Sequence, residues 1–168
     1  MTDSAADQLA ALARVHDLLT AARIDYWLFG GWAVDFHAGA VTRAHSDVDL
    51  AVWLADIPRI EELLSAVGWR AVPSPEDDGG TGYERGMVRL ELTYLVRADD
   101  GGVYIPLRSR RAQWPADALE QEVAELRGVR ARIVARQPLA RMKASPREDP
   151  ADAAKDVADY RWLTDSSR

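Results

Sequence analysis

At 168 residues, 48% apolar and 29% charged, the chain has the length and composition of one soluble globular domain with room for a real core. Its 21 Lys/Arg against 27 Asp/Glu leave a net charge of −6, a poor match for a long polyanion and a better one for a cationic ligand. The absence of cysteine excludes disulfides and thiolate metal sites. No run approaches the ~18 apolar residues of a spanning helix, and Met1-Thr2-Asp3-Ser4 leads into no signal-peptide pattern, so the cytoplasm is the expected compartment.

Residues 4–23 read as a helix capped by Ser4, with Leu9, Leu12, Val15, Leu18 and Leu19 at three- and four-residue spacing. Ile24 to Phe29 reads as a buried strand. Gly30-Gly31 then opens a helix over Trp32 to Ala38, which Gly39 ends. The paired glycines let an anion approach backbone N–H groups at a helix N-terminus, where the dipole favours negative charge. On this helix Trp32 and Phe36 share a face and pack on the sheet, while Asp35 and His37 are expected at the surface. A loop carries Arg43, suited to bidentate phosphate contact, and His45, either a phosphate contact or an orienting hydrogen bonder.

The next strand alternates: Val48, Leu50, Val52 and Leu54 form one face, and Asp47, Asp49, Ala51 and Trp53 the other. Asp47 and Asp49 are either the wet face of an edge strand or ligands for a hard divalent cation such as Mg2+. A helix with Pro58 in its first turn follows from Ile57 to Gly68, then a short strand, Trp69 to Val72. Residues 73–82 read as a polar Gly/Pro-rich loop. Tyr83–Gly86 and Met87–Arg97 are strands, the second turning at Asp99-Asp100-Gly101-Gly102 into Val103-Tyr104-Ile105. Glu91 lies mid-strand on the polar face, where a cross-strand arginine is one expected partner.

Arg108, Arg110 and Arg111 make a basic patch, Gln113-Trp114-Pro115 interrupts the pattern, and Asp117 to Leu126 reads as helix or irregular cover. Val129 to Val134 is the last strand. Helices follow at Gln137–Ala144 and Pro150–Leu163, the latter with Ala154, Val157, Ala158 and Trp162 as its buried stripe. Asp152 and Asp159, three and four positions from Lys155, suit surface helix pairs.

The run Gly30-Gly31-Trp32-Ala33-Val34-Asp35, then Gly39, then Thr42-Arg43-x-His45-x-Asp47-Val48-Asp49-Leu50, resembles the signature of small antibiotic nucleotidyltransferases. Closest are the aminoglycoside 2″-adenylyltransferases and lincosamide nucleotidyltransferases of the DNA polymerase β-like superfamily. The resemblance is close over residues 26–53 and collinear elsewhere. It implies an α/β (α+β) fold: a small, strongly twisted mixed sheet with helices mainly on one face. The single domain would comprise a catalytic core, 1–106, and a C-terminal strand and helices, 107–168.

The implied reaction is Mg2+-dependent transfer of AMP from ATP to a hydroxyl of a small-molecule antibiotic. Asp47, Asp49 and Glu91 would be the catalytic, metal-holding acids, Glu91 serving as ligand, as general base or as both. Gly30, Gly31, Arg43 and His45 would contact the nucleotide, and the C-terminal helices would add Lys143 and Lys155. The expected partners are a nucleoside triphosphate and a hydroxyl acceptor, without membrane or nucleic acid, in a monomer or homodimer. Two alternatives are a toxin-type nucleotidyltransferase acting on tRNA or a protein, for which the arginines of 108–111 and 127–136 speak, and a catalytically silent nucleotide-binding module.

Overall fold

The structure, a computed structural model, describes residues 3–165. Helix α1 (Asp3–Ala21) leads into β1 (Tyr26–Phe29), α2 (Gly30–Ala38) and β2 (Val48–Trp53). After a 3-10 turn come α3 (Ile57–Ala66), β3 (Arg70–Ala71), β4 (Gly80–Arg85) and β5 (Val88–Arg97). The chain continues through β6 (Val103–Pro106), β7 (Arg111–Trp114), a 3-10 turn at Ala116–Leu119, β8 (Gln121–Leu126) and β9 (Val129–Val134). It closes with α4 (Arg136–Lys143) and α5 (Pro150–Thr164).

The sheet is mixed, in the order β3-β4-β5-β2-β1-β9-β8, with β6 and β7 continuing from the end of β5. Strand β2 runs antiparallel to β1 and parallel to β5. Because strand side chains alternate, this register sorts the residues by face. Leu28, Leu50 and Leu92 stand in one row across three strands and are buried. In the next row, on the opposite face, stand Phe29, Asp49 and Glu91. The first row is core and the second is site.

Helix α1 packs on β9 and β5 through Leu9, Leu12, Val15 and Leu19, all buried. Burial of each such side chain contributes about 1.5–3 kcal/mol before chain entropy is counted. The α/β fold with a mixed sheet is as expected, and among the described residues no helix is long and apolar enough to cross a membrane.

Several local expectations are corrected. Helix α1 is already running at Asp3, so Ser4 lies inside it, accepting a hydrogen bond from Gln8 Nε2 at 3.4 Å. Leu54 leaves β2 for the 3-10 turn and is exposed. Strand β4 begins at Gly80, inside the expected loop. Residues 121–126 form an edge strand, where helix or irregular cover was expected, and Gln113 and Trp114 belong to β7. Those two segments take strand form because β9 and β6 offer ladder partners, a tertiary effect that outweighs local propensity.

Asp35 and His37 are not at the surface. Asp35 is fully buried, and the His37 side chain is 7% exposed. Helix α2 is packed between β1, β2, β8 and the C-terminal helices, and a helix covered on so many sides offers no wet face to its polar residues. Helix α5 is also rotated from expectation: Ala154, Val157 and Ala158 face solvent and Trp162 is half-buried, while Asp156, Asp159 and Leu163 are buried. Its inward face is acidic because cations wait there.

Candidate active site

A cleft of about 810 Å3 opens over the Asp-bearing face of the sheet. The start of α2 and the loop before β2 form its rim, and Asp47 and Asp49 lie within it. One wall is Ala112–Pro115 of β7 and its exit, the other the facing sides of α4 and α5 with Ser145–Arg147 between them.

Helix α2 begins at Gly30, whose φ of +67° lies in the left-handed region that glycine reaches without strain. A Cβ on Gly30 would collide with the Asp49 carboxylate, and one on Gly31 with the Arg43 and His45 side chains. Both glycines are therefore needed for close approach. The helix N-terminus, both aspartates and the Arg43–His45 loop converge at this point.

The loop is held by a chain of polar contacts. Asp35 accepts from the Thr42 backbone N–H at 3.1 Å, from its hydroxyl at 2.5 Å and from His45 Nε2 at 2.5 Å. Arg43 Nη1 donates to His45 Nδ1 at 3.1 Å, and since a guanidinium only donates, the imidazole proton sits on Nε2. Gln8 of α1 joins in, donating to the His45 carbonyl at 2.9 Å and accepting from Trp32 Nε1 at 2.8 Å. Trp32 and Phe36 are buried packing residues, as expected.

Arg43 also reaches α5, where Nε and Nη2 grip the two oxygens of Asp159 at 3.2 and 3.0 Å. Lys143 of α4 contacts Asp159 at 2.9 Å and Asp156 at 3.0 Å. Burial alone would raise the Asp159 carboxyl, yet the hydrogen bonds from Arg43 and Lys143 prevail and hold it below the ordinary value. Lys155 is half exposed, paired with Asp152 at 3.4 Å, and lines the cleft. Its expected pairing with Asp159 is replaced by Arg43 and Lys143.

Asp47 and Asp49 behave differently: among the described residues neither carboxylate has a hydrogen-bond or ion-pair partner. Burial, then the nearby Asp47 and Glu91 charges, push the Asp49 carboxyl up to about 7. Two such acids side by side, with oxygen donors only, suit a hard divalent cation whose charge would stabilise both carboxylates.

Glu91 stands beside Asp49 in register but does not line the cleft. Arg89 Nε donates to its Oε1, and Arg89 also approaches Glu84 at 3.4 Å. Gly82 opposite leaves room for this pair, since a Cβ there would press on both side chains. Among the described residues no group of three or more His, Cys, Asp or Glu is arranged to hold a metal ion. The structure thus brings Gly30, Gly31, Arg43, His45, Asp47, Asp49, Lys143 and Lys155 to one cleft and leaves Glu91 at its edge.

Sequence reasoning missed Asp35, Arg89, Arg147, Asp156 and the Trp114 wall. Asp35 had a usable signal, being an acid flanked on its helix by Trp32, Ala33, Val34 and Phe36. Arg89 had one too, standing two residues from Glu91 on the same strand face, whereas Arg147, Asp156 and Trp114 meet the site only through tertiary packing.

Solved structures share this architecture. ANT(2″)-Ia in complex with adenylyl-2″-tobramycin superposes with a TM-score of 0.70 at 20% identity, covering 94% of this chain and 87% of that one. Lincomycin-bound LnuA, a lincosamide antibiotic adenylyltransferase, gives 0.67 at 17% identity, covering 90% and 93%. At such identities the likeness is one of fold. A 2″-aminoglycoside nucleotidyltransferase from Escherichia coli is 34% identical over 61 residues, 34% of this chain and 34% of that protein. One from Klebsiella pneumoniae is 36% identical over 59 residues, 33% of each. The chain thus matches about a third of the length of these curated relatives. The family model for aminoglycoside-2″-adenylyltransferases spans far more, residues 11–140, and the chain belongs to that family of nucleotidyltransferases.

Proposed function

We propose that this protein transfers AMP from ATP to a hydroxyl of a small-molecule antibiotic, an aminoglycoside or a lincosamide, in a Mg2+-dependent reaction. The observation that carries this reading is the pair of unpartnered carboxylates, Asp47 and Asp49, beside the Gly30-Gly31 helix start in one cleft. Asp47 and Asp49 would hold the magnesium, which when bound neutralises phosphate charge and strengthens the attacking and leaving oxygens' stabilisation. Gly30 and Gly31 present the N-terminal backbone of α2 to the β/γ-phosphates. Lys143, Arg147 and Lys155 face the same space, and Arg43 behind them fixes the loop.

In the step itself the acceptor oxygen bonds to the α-phosphorus, the bond to the bridging oxygen breaks, and pyrophosphate leaves. The hydroxyl proton passes to a carboxylate. Glu91, next to Asp49 on the sheet, is the assigned base, and the ion pair with Arg89 orients it. Catalysis is then chiefly positioning and charge neutralisation.

Incubation with α-labelled ATP, Mg2+ and a panel of aminoglycosides, lincosamides and bulk tRNA tests the reading. Label on a drug, lost on omitting Mg2+, is the expected result. Label on RNA alone, or on nothing, refutes it.

A further inference from the structure

We infer that Asp35, a fully buried carboxylate of α2 that the proposed reaction leaves unused, is a positioning residue for the nucleotide: through His45 it fixes Arg43 and the loop that leads into Asp47. This rests on the adenylyl-transfer reading above and says what holds the nucleotide side of that site in shape.

The loop has no regular structure of its own. It joins α2 to β2, and among the described residues 41–45 make no backbone–backbone hydrogen bond. Side chains supply what the backbone lacks, and they converge on Asp35. Its Oδ1 accepts from the Thr42 N–H and hydroxyl and its Oδ2 from His45 Nε2, so one carboxylate holds both ends of the tetrapeptide 42–45. Gln8 of α1 takes the His45 carbonyl, and the Trp32 ring lies beside the imidazole with centroids 4.5 Å apart. The tetrapeptide rests directly on the helix start, since a Cβ at Gly31 would meet Arg43 Nη2 and His45 Nδ1. Asp47 follows two residues later. The His45 side chain is only 3% exposed, too little surface to offer a phosphate.

The chemistry of the pair decides where Arg43 points. A carboxylate only accepts, so His45 presents Nε2–H to Asp35, which leaves Nδ1 as the acceptor for Arg43 Nη1 at 3.1 Å. Arg43 turns Nε and Nη2 to Asp159. The bond made by one imidazole nitrogen thus fixes the role of the other, and the order runs outward from Asp35. A carboxamide at position 35 breaks that order. Its oxygen would stay with the two Thr42 donors, and its NH2 would face Nε2. The imidazole proton would then have to move to Nδ1, where it meets Arg43, a side chain with no acceptor. Arg43 would leave His45, and the loop over Gly31 would lose its seat.

The test pairs ATP binding in the presence of Mg2+, by calorimetry, with NMR of protein carrying 15N-histidine, in which the ring nitrogens report where the proton sits. The chain has three histidines, and His45→Gln identifies the signals of His45. In the wild type the proton is expected on Nε2; any other state of His45 overturns the inference. Asp35→Asn should move it to Nδ1 and weaken ATP binding about tenfold, as loss of a charge-assisted hydrogen bond implies. His45→Ala should weaken binding as much, whereas the amide of His45→Gln keeps a donor for Asp35 and an acceptor for Arg43 and should bind ATP within about threefold of wild type. That rescue separates positioning from mere packing, and it carries the test if Asp35→Asn does not fold. Affinity unchanged in Asp35→Asn, or His45→Gln no better than His45→Ala, overturns the inference and leaves adenylyl transfer intact. A wild type that fails to bind ATP with Mg2+ removes the underlying reading instead.

Discussion

Replacing Asp159 by asparagine takes one charge from the junction that ties α5 to the rest of the molecule. The Asp159 side chain is 1% exposed and meets both Arg43 and Lys143, which are 26% and 11% exposed. Removing one member of a buried pair costs about 3–5 kcal/mol, because the remaining charge stays desolvated without its partner. Arg43 is a quarter exposed and Lys143 keeps Asp156, so solvent and the second carboxylate reduce the cost to about 3 kcal/mol. For a domain of this size that lowers Tm by about 6–12 °C. Because α5 and Arg43 both border the cleft, KM for ATP should rise as well.

The pH dependence follows from the sign of the shift. The folded carboxyl is held below its unfolded value, so its contribution is complete above about pH 4 and fades as pH falls through the lowered folded value. The stability gap between wild type and variant should therefore be constant from pH 7 to 5 and shrink below about 4. Urea unfolding followed by circular dichroism across that range measures it. A gap under about 1 kcal/mol at pH 7 would show that Arg43 and Lys143 are satisfied without Asp159, and the network argument would fail.

Three further outcomes are expected. Asp49→Asn should abolish AMP transfer and the Mg2+ dependence of ATP binding while leaving the thermal melt within a few degrees; full activity refutes the metal assignment. Glu91→Gln should lower kcat by about 10²–10⁴-fold if Glu91 takes the hydroxyl proton, and a loss below tenfold would leave it as the partner of Arg89. Gly30→Ala combines strain at φ +67° with a methyl driven into the Asp49 carboxylate, so ATP binding should weaken by about tenfold or more, an effect of at least 1.4 kcal/mol; calorimetry showing unchanged affinity sinks the close-approach argument.

Local pattern alone determined a good deal. Alternation placed Asp49 on the face opposite Val48, Leu50 and Val52, because period-two geometry is a property of the strand itself, while Asp47 stands just before β2 and outside its ladder. The glycines announced a helix start, and their lack of Cβ leaves the room that the Asp49, Arg43 and His45 side chains take. Lys155 and Asp152 were paired by helical spacing, and that contact is present. Pairing across the sheet was not legible in that way. The placement of β8, the strand form of β7 and the row Phe29–Asp49–Glu91 depend on which strands become neighbours.

The larger divergence concerns where charge goes. On sequence, Asp35 and Asp159 look like solvated helix residues, because acids are rarely buried unless paired. Their partners lie outside their own helices: Thr42 and His45, 7 and 10 residues on, for Asp35, and Arg43, 116 residues away, for Asp159. Helical periodicity sees only apolar stripes, so it turned α5 by its alanines and valine, whereas the folded protein turns it by its carboxylates. Residue type and spacing thus determined the two aspartates and the glycine rim, which are local. Tertiary packing decided which cations are free to meet a ligand, because a charge is neutralised by whatever the fold brings within a few ångströms of it.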